Sequence, residues 1–471
     1  MKKIINWGKR SLYTLLKQDG ISVCLYVIIF ITLILYNHQK IMKLEILDWT
    51  IFFAMVAVAF VQTIAKIIQQ ALMNHIEDSV KLEENYEKLC KMYPEIEYED
   101  GKISNELITY QNPAGKSLEY INRKRKKDCS EVRFPVIQEA MFRKLNLIIE
   151  DSKEQYEMPQ LVREHYRELF QAHDTSNIYN QLNVKVKSWK NTEEEFKMYT
   201  MRTTYYDSLV TNRVMDFEWE PEQTLRNRYM YGPFVTPLSE SVLSNHLGFN
   251  GFIISSDNMI PLVRRNKVVS IGKRTYGDSI GASMKAKMAL DANQRFTKEG
   301  LKNSILGEIK DELKIERKDI IFSIEENVIA AYRDLVEGGK PQLLFVAKSL
   351  RTQKEIEDNF VKKKKEKAKE LRKSFWDKEL RELEDGDTFL WIPVENLKKL
   401  VILSDAIVYE GKEYRMMPSA SASLVMLIWW LELVKKAMGG KCKQANENDC
   451  CISSSTCKLC SGGGLSGIYE S

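Results

Sequence analysis

The stretch N-Q-R-F-T-K-E-G-L-K-N-S-I-L-G-E-I-K-D-E-L-K-I, residues 293–315, decides how the rest of the chain is interpreted. Apolar residues recur every four positions in its second half, at Leu301, Ile305, Ile309 and Leu313. This spacing gives one side of a helix a continuous apolar stripe. The stretch therefore predicts an amphipathic helix that packs on a hydrophobic core.

Three carboxylates lie on a neighbouring face of the same predicted helix. Glu308, Asp311 and Glu312 are separated by three and four residues, so their side chains are within reach of one another. Because clustered carboxylates repel one another, a divalent cation such as Mg²⁺ or Mn²⁺ would stabilise them. The three residues are candidate metal ligands, and candidate catalytic residues if the chain is a hydrolase. The alternative is a surface helix with a solvated acidic face.

The spacing resembles the Nudix box, a loop–helix–loop in which Gly, five residues, Glu and seven residues precede Arg-Glu-aliphatic-any-Glu-Glu-any-Gly-aliphatic. The matching positions are Glu299, Glu308, Ile309, Asp311, Glu312 and Ile315. Three positions depart from the motif: Asn293 replaces the first Gly, Gly307 replaces the Arg that orients the carboxylates, and Lys314 replaces the last Gly. Asp311 is also one methylene shorter than the usual Glu. These departures put catalysis by the box in doubt.

The order of elements around the box extends the resemblance to residues 241–438. Strands predicted at Phe249–Ser255 and Ile260–Arg265 would form a hairpin, and a glycine-bearing loop at residues 268–281 leads to the box. After the box follow a strand, a very charged helical insertion at residues 352–386, a late strand with a short helix, and a closing helix. The resemblance implies an α/β (α+β) Nudix-like mixed-sheet sandwich with flanking helices.

Two uncharged apolar segments, residues 20–37 and 49–65, lie near the start of the chain. Each approaches the length that crosses a bilayer core, and a short polar loop joins them. They predict an α-helical two-span transmembrane hairpin within residues 1–72, preceded by a basic amphipathic segment. Basic residues are more numerous before the first span than in the loop, so both termini are expected in the cytoplasm.

Residues 73–240 are predicted to form a helical stalk and an α/β middle region. Strict alternation at Asn183–Trp189 indicates a strand. A polar and aromatic cluster either lines a pocket or, in the simpler interpretation, belongs to the core and loops. The cluster comprises Tyr205, Tyr206, Thr211 and Asn212.

Cysteines crowd the tail, residues 439–471. Cys457 and Cys460 form a C-x-x-C, the spacing of two zinc ligands. Either Cys450 or Cys451 would supply a third thiolate, and Cys442 a fourth. No second C-x-x-C pair is present, and the surrounding Ser and Gly residues are typical of a linker. A reduced, linker-like tail is therefore the preferred interpretation, and a zinc site is the less favoured one.

The chain carries 70 Lys and Arg and 65 Asp and Glu, a net charge of +5 that does not indicate a binder of DNA or RNA polymers. Two spans before a degenerate Nudix-like domain resemble the transmembrane-Nudix effectors of CBASS, the bacterial anti-phage systems. The resemblance implies a homo-oligomeric antiviral defence protein that binds a cyclic oligonucleotide messenger and disrupts the inner membrane, with cell death as abortive infection.

The candidate messenger ligands are the basic side chains that flank the glycine loop and one of its glycines. They are Arg264, Arg265, Lys273, Arg274 and Gly277. Two other interpretations stay open. One is a membrane-tethered, magnesium-dependent Nudix hydrolase of nucleoside diphosphate derivatives. The other is a membrane scaffold whose domain binds no ligand and turns over no substrate.

Overall fold

The structure is a computed structural model of the 471-residue chain. The residues that it describes are 81–97, 103–113, 129–173, 179–265, 269, 271–362 and 386–445. All of them belong to one compact unit, Val80–Ser471.

The first half of the described chain contains seven strands and five short α-helices. In chain order they are α1 (Tyr86–Met92), β1 (Ile96–Glu97), β2 (Ile103–Ser104), β3 (Leu107–Gln111), β4 (Glu131–Met141), β5 (Leu147–Gln155), α2 (Gln160–Glu164), α3 (Tyr166–Gln171), β6 (Leu182–Asn191), β7 (Phe196–Thr204), α4 (Tyr205–Leu209) and α5 (Leu225–Tyr229). The strand predicted at Asn183–Trp189 is confirmed as part of β6.

The second half contains the helix predicted from the box and the longest helix described. In chain order the elements are β8 (Gly248–Ile254), β9 (Met259–Arg265), β10 (Tyr276–Gly277), β11 (Ile280–Ser283), α6 (Ala286–Ala289), α7 (Lys298–Leu313), β12 (Ile320–Ile321), α8 (Ile324–Asn327), β13 (Val328–Asp334), β14 (Lys340–Ser349), β15 (Gly386–Pro393), β16 (Val401–Ile402), β17 (Ala406–Tyr409), β18 (Lys412–Arg415) and α9 (Pro418–Ala445). Residues 353–362 are also helical.

A seven-stranded sheet forms the centre of the fold. Its order is β11-β8-β14-β13-β4-β3, with β12 paired to β14. The β14–β8 pair is parallel and the other pairs are antiparallel. Strands β3 and β4 come from the first half of the chain, so both halves build one sheet. A separate three-stranded sheet has the order β5-β7-β6.

The central sheet lies between two hydrophobic cores. Along β14, Leu343 and Phe345 belong to one core, whereas Leu344 and Val346 belong to the other, because successive side chains of a strand point to opposite faces. Helix α7 packs on the first core with its predicted apolar stripe. The stripe residues Leu301, Ile305, Ile309 and Leu313 are all buried. Helix α9 packs on the second core.

The predicted membrane architecture requires correction. Within the described ranges, no helix is both long enough and apolar enough to cross a bilayer. The segments predicted as spans, residues 20–37 and 49–65, lie outside the described residues. Helix α9, although 28 residues long, packs its apolar side chains against the sheet. The fold is mixed α/β with several sheets, and the transmembrane hairpin and the inner-membrane location are not supported.

The predicted hairpin between β8 and β9 is also wrong, although both strands exist. Strand β8 pairs with β11 and β14 in the central sheet, whereas β9 pairs with β10 and β15 in a second, three-stranded sheet. The chain turns at residues 255–259, where the backbone N–H of Ser255 donates to the carbonyl of Met259 at 2.9 Å. Alternation of side chains is the same for either pairing, so it did not distinguish the two sheets.

Candidate functional site

The start of α7 is attached to the small β5-β7-β6 sheet by a buried ion pair. Arg202 donates two hydrogen bonds of 2.6 Å to Asp151 and a third, of 2.8 Å, to the carbonyl of Gln294. Asp151 also accepts from the backbone N–H of Phe296 at 3.1 Å. The side chain of Thr297 then caps the helix. These bonds fix the position of α7 and its carboxylates.

Among those carboxylates, Glu308 is paired with a lysine ammonium. Lys285 Nζ lies 2.6 Å from Glu308 Oε1, and the side chain of Glu308 is only 6% exposed. Burial lowers the pKa of Lys285, but Glu308 and, more weakly, Glu312 raise it above its usual range. Asp311 is exposed to solvent. Within the described part of the chain, no group of three His, Cys, Asp or Glu side chains could hold a metal ion.

Helix α6 covers the flank of α7 at two glycines. A Cβ atom at Gly300 would lie 1.8 Å from the carbonyl oxygen of Ala289, so the two backbones approach more closely than any side chain allows. A Cβ atom at Gly307 would lie 1.9 Å from Met288 Cε. An arginine at this position, as the Nudix box requires, would need Met288 to move.

The predicted phosphate ligands lie on the β9–β10 hairpin. Arg264 and Arg265 end β9, Lys273 and Arg274 lie in the loop, and Gly277 is in β10. The hairpin is closed by the backbone N–H of Arg274, which donates to the carbonyl of Arg265 at 3.1 Å. The loop therefore brings these residues near one another, but on an element distinct from the flank of α7 that carries Glu308.

A second polar arrangement, which was not predicted from the sequence, lies beside the ion pair. Three segments meet there through backbone hydrogen bonds. The N–H of Val184 donates to Met284, that of Met284 to Leu247, and that of Leu247 to Val184, at 2.8–2.9 Å. The side chains of these three residues belong to the core under α7. The neighbouring residues of each segment therefore face away from that core.

Two backbone bridges define what lies on the opposite side. Asn183 is bridged to Lys285, and Lys185 to His246, both antiparallel. Residues opposed across an antiparallel bridge carry their side chains on the same side. We refer to Asn183, Lys185, His246, Ser283 and Lys285 together as the polar face. The first three are buried, whereas Ser283 and Lys285 are half-buried.

Lys185 is buried without a carboxylate partner. Its ammonium donates to the carbonyl of Leu243 and lies 4.9 Å from the ring centre of Tyr156. In the described part of the chain, no carboxylate oxygen lies within 4 Å of it. Burial therefore lowers the pKa of Lys185 to about 7, although the more distant Asp207 opposes the shift.

Two side chains of the polar face hold polar atoms without hydrogen-bond partners. Asn183 is fully buried, and neither its Nδ2 nor its Oδ1 is bonded. His246 is also fully buried; its Nε2 lies 2.9 Å from Ser283 Oγ, but its Nδ1 has no partner. A buried polar group left unpaired costs about 1–3 kcal/mol, so these atoms require an explanation.

Further cations surround His246. Lys340 Nζ and Arg213 Nε lie 3.4 and 3.6 Å from the same carboxylate oxygen of Glu337. Burial lowers the pKa of His246 well below its usual value, and the charges of Lys340 and Arg213 lower it further. Lys340 and Arg213 therefore act on His246 while both contact the carboxylate of Glu337.

The cluster predicted near residue 205 supports the segment that carries His246. Asn212 is buried and binds Asn245 twice, by Nδ2 to its side chain at 2.9 Å and by Oδ1 to its backbone N–H at 2.8 Å. Thr211 is buried beside it, and Tyr205 accepts a hydrogen bond from Arg213. The cluster therefore holds the segment that carries His246 in place.

The predicted zinc ligands Cys450, Cys457 and Cys460 lie outside the described residues.

No family model and no curated protein matches the chain.

Proposed function

We propose that this chain is a nucleotide sensor of an anti-phage system, which binds a cyclic oligonucleotide messenger and does not hydrolyse it. The ion pair between Lys285 and Glu308 is the observation that favours binding without hydrolysis. In a Nudix hydrolase the first carboxylate of the helix binds a divalent cation, whereas here an ammonium lies 2.6 Å from it. A metal ion would have to displace that ammonium before it could polarise a diphosphate.

The surroundings of the ion pair support binding without turnover. Met288 packs over Gly307, where the motif requires the arginine that orients the carboxylates. Asp311 is exposed to solvent. Positive side chains are still plentiful on the β9–β10 hairpin and around His246, so affinity for phosphates does not depend on a metal. The choice of a cyclic oligonucleotide, and of a homo-oligomer, follows from the resemblance to CBASS effectors.

The test is calorimetric titration of the full-length protein with cyclic di- and trinucleotides, in Mg²⁺ and again in EDTA. We expect one or a few of them to bind with the same affinity in both buffers, because no protein-bound metal takes part. Chromatography of the cell contents should recover the ligand intact. Magnesium-dependent cleavage of the ligand, or of ADP-ribose offered in parallel, would favour the hydrolase and contradict the proposal.

A matched pair of variants shows whether any turnover comes from the box. Glu308→Gln removes the carboxylate that a metal would need, whereas Glu325→Gln changes an exposed carboxylate of α8, outside the box. For a non-hydrolysing sensor, neither variant changes the recovery of intact ligand. Turnover that is lost in Glu308→Gln and retained in Glu325→Gln would identify a working metal site.

A further inference from the structure

We propose that the polar face is a binding site for an organic phosphate, in which Lys185 contacts a phosphate oxygen and the Asn183 amide contacts the base or sugar. The inference takes its ligand class from the proposed function. Its residues, however, are not those of the β9–β10 hairpin, and they were found from burial and bonding alone. It therefore names a different place on the molecule for the ligand.

Lys185 has no counter-charge close to its ammonium among the described residues. Within the described part of the chain, Lys185 has no carboxylate within 4 Å, although it is 96% buried. A buried ammonium is normally paired, because desolvation of an unpaired charge is costly. An anion at the polar face would supply the missing partner. A phosphate suits this role because it accepts hydrogen bonds from an ammonium and from the hydroxyl of Ser283 together.

Asn183 and His246 hold buried polar atoms that form no hydrogen bond with any described residue. The amide of Asn183 offers one donor and one acceptor, and Nδ1 of His246 offers one further group. Neither residue is exposed, so bulk water does not satisfy these atoms. A phosphate alone would use the donor and leave the amide oxygen unbonded. A nucleoside phosphate has both donors and acceptors on its base and sugar, so it would satisfy the whole set.

The polar face is held in position before any ligand binds. Asn212 fixes Asn245 through two hydrogen bonds, which sets the place of the adjacent His246. Thr203 Oγ1 lies 2.8 Å from Ser244 Oγ and joins the same segment to β7. Rigid support of this kind reduces the entropy that binding would otherwise cost. The half-buried Ser283 and Lys285 form the rim through which a ligand would enter.

The test compares the full-length wild type with Lys185→Met, Asn183→Ala and a matched control, Lys187→Met. Lys187 is on the same strand, but it is exposed and pairs with Glu154. The probes are inorganic phosphate, pyrophosphate and the panel of cyclic di- and trinucleotides, titrated calorimetrically. We expect Lys185→Met and Asn183→Ala to weaken binding at least about ten-fold, and Lys187→Met to change it by less than about two-fold.

The outcomes separate this inference from the proposed function. If a cyclic nucleotide binds equally to all four proteins, the function stands and the polar face is rejected. If no cyclic nucleotide binds but pyrophosphate or phosphate does, and Lys185→Met abolishes that binding, the polar face stands and the messenger does not. If no probe binds the wild type, both are rejected.

A second measurement needs only a folded wild type. At about pH 8, Lys185 is mainly deprotonated in the free protein, because burial lowers its pKa to about 7. An anion bound beside it would favour the ammonium, so binding should take up to about one proton from the buffer. Calorimetry in two buffers with different ionisation enthalpies measures this uptake. Binding without proton uptake would contradict contact between Lys185 and the anion.

Discussion

Two lysines bridged to neighbouring segments, the half-buried Lys285 and the buried Lys185, lie under opposite electrostatic conditions. Lys285 is bonded to Glu308 at 2.6 Å, and its pKa is raised despite burial. Lys185 is bonded to a backbone carbonyl, and burial lowers its pKa to about 7. The buried carboxylate of the box helix is therefore already neutralised by the chain itself, whereas the adjacent polar face is not. We therefore expect an external anion at Lys185 and no external cation at Glu308.

The largest expected effect comes from breaking the ion pair between Lys285 and Glu308. Lys285→Met removes the ammonium from a carboxylate that is only 6% exposed, and such a loss costs about 3 kcal/mol of unfolding free energy. Urea denaturation of the purified variant measures it. The double variant Lys285→Met/Glu308→Gln should recover most of the loss, because it removes the buried negative charge as well.

The control for this prediction is Lys287→Met, which changes an exposed lysine two residues away. It should alter the unfolding free energy by less than about 0.5 kcal/mol. If the single variant at Lys285 is as stable as this control, or if the double variant is no better than the single one, the ion pair does not stabilise the box helix.

A smaller effect, with a characteristic pH dependence, is expected from Lys185→Met. The pKa of Lys185 falls from 10.5 in the unfolded chain to about 7 in the folded one. Between these values the unfolded chain binds more protons, so the wild type gains stability as the pH rises through this window. Below pH 7 the penalty is complete. The variant should therefore be more stable than wild type near pH 6, with an advantage that fades towards pH 10.

Urea denaturation near pH 6, 8 and 10 checks this dependence, with Lys187→Met as the matched variant on the same strand. Lys187 is exposed, so its variant should differ from wild type by the same small amount at every pH. A difference between Lys185→Met and wild type that does not change with pH would show that the lysine keeps its ordinary pKa in the folded chain.

The sequence was most informative where one local pattern determines the structure. The four-residue spacing of Leu301, Ile305, Ile309 and Leu313 predicted both the helix and its buried side, and both are confirmed. The alternation at Asn183–Trp189 predicted a strand, which is also confirmed. Pairing between strands was harder, because it depends on distant partners. This is why β9 was assigned to β8, although it pairs with β10 and β15.

The polar face could not be predicted for the same reason. Asn183, Lys185 and Lys187 alternate with valines along β6, so all three would be expected on the solvent side of the strand. Lys187 is indeed exposed, whereas Asn183 and Lys185 are buried. Asn183 is bridged to Lys285, and Lys185 to His246, about one hundred and about sixty residues further along the chain. No local pattern indicates which positions of a polar strand face another segment will bury.

The carboxylates of the box show a related limit. Their spacing on α7 correctly placed Glu308 and Glu312 near each other, and both act on the pKa of Lys285. The sequence did not reveal that Lys285 would supply the cation, because the pairing depends on how α6 packs at Gly300 and Gly307. The sequence does not show why glycine stands at these two positions. Their close contacts with α6 explain it.

The most direct test of the central claim is an NMR titration of the lysine side chains in the full-length protein. Lysines labelled with ¹³C at Cε would be assigned with the variants Lys185→Met and Lys285→Met. We predict that Lys185 titrates near pH 7, whereas the pKa of Lys285 lies above its ordinary value. If both lysines titrate together near their ordinary value of 10.5, the polar face has no unpaired charge and the contrast with the box helix is wrong.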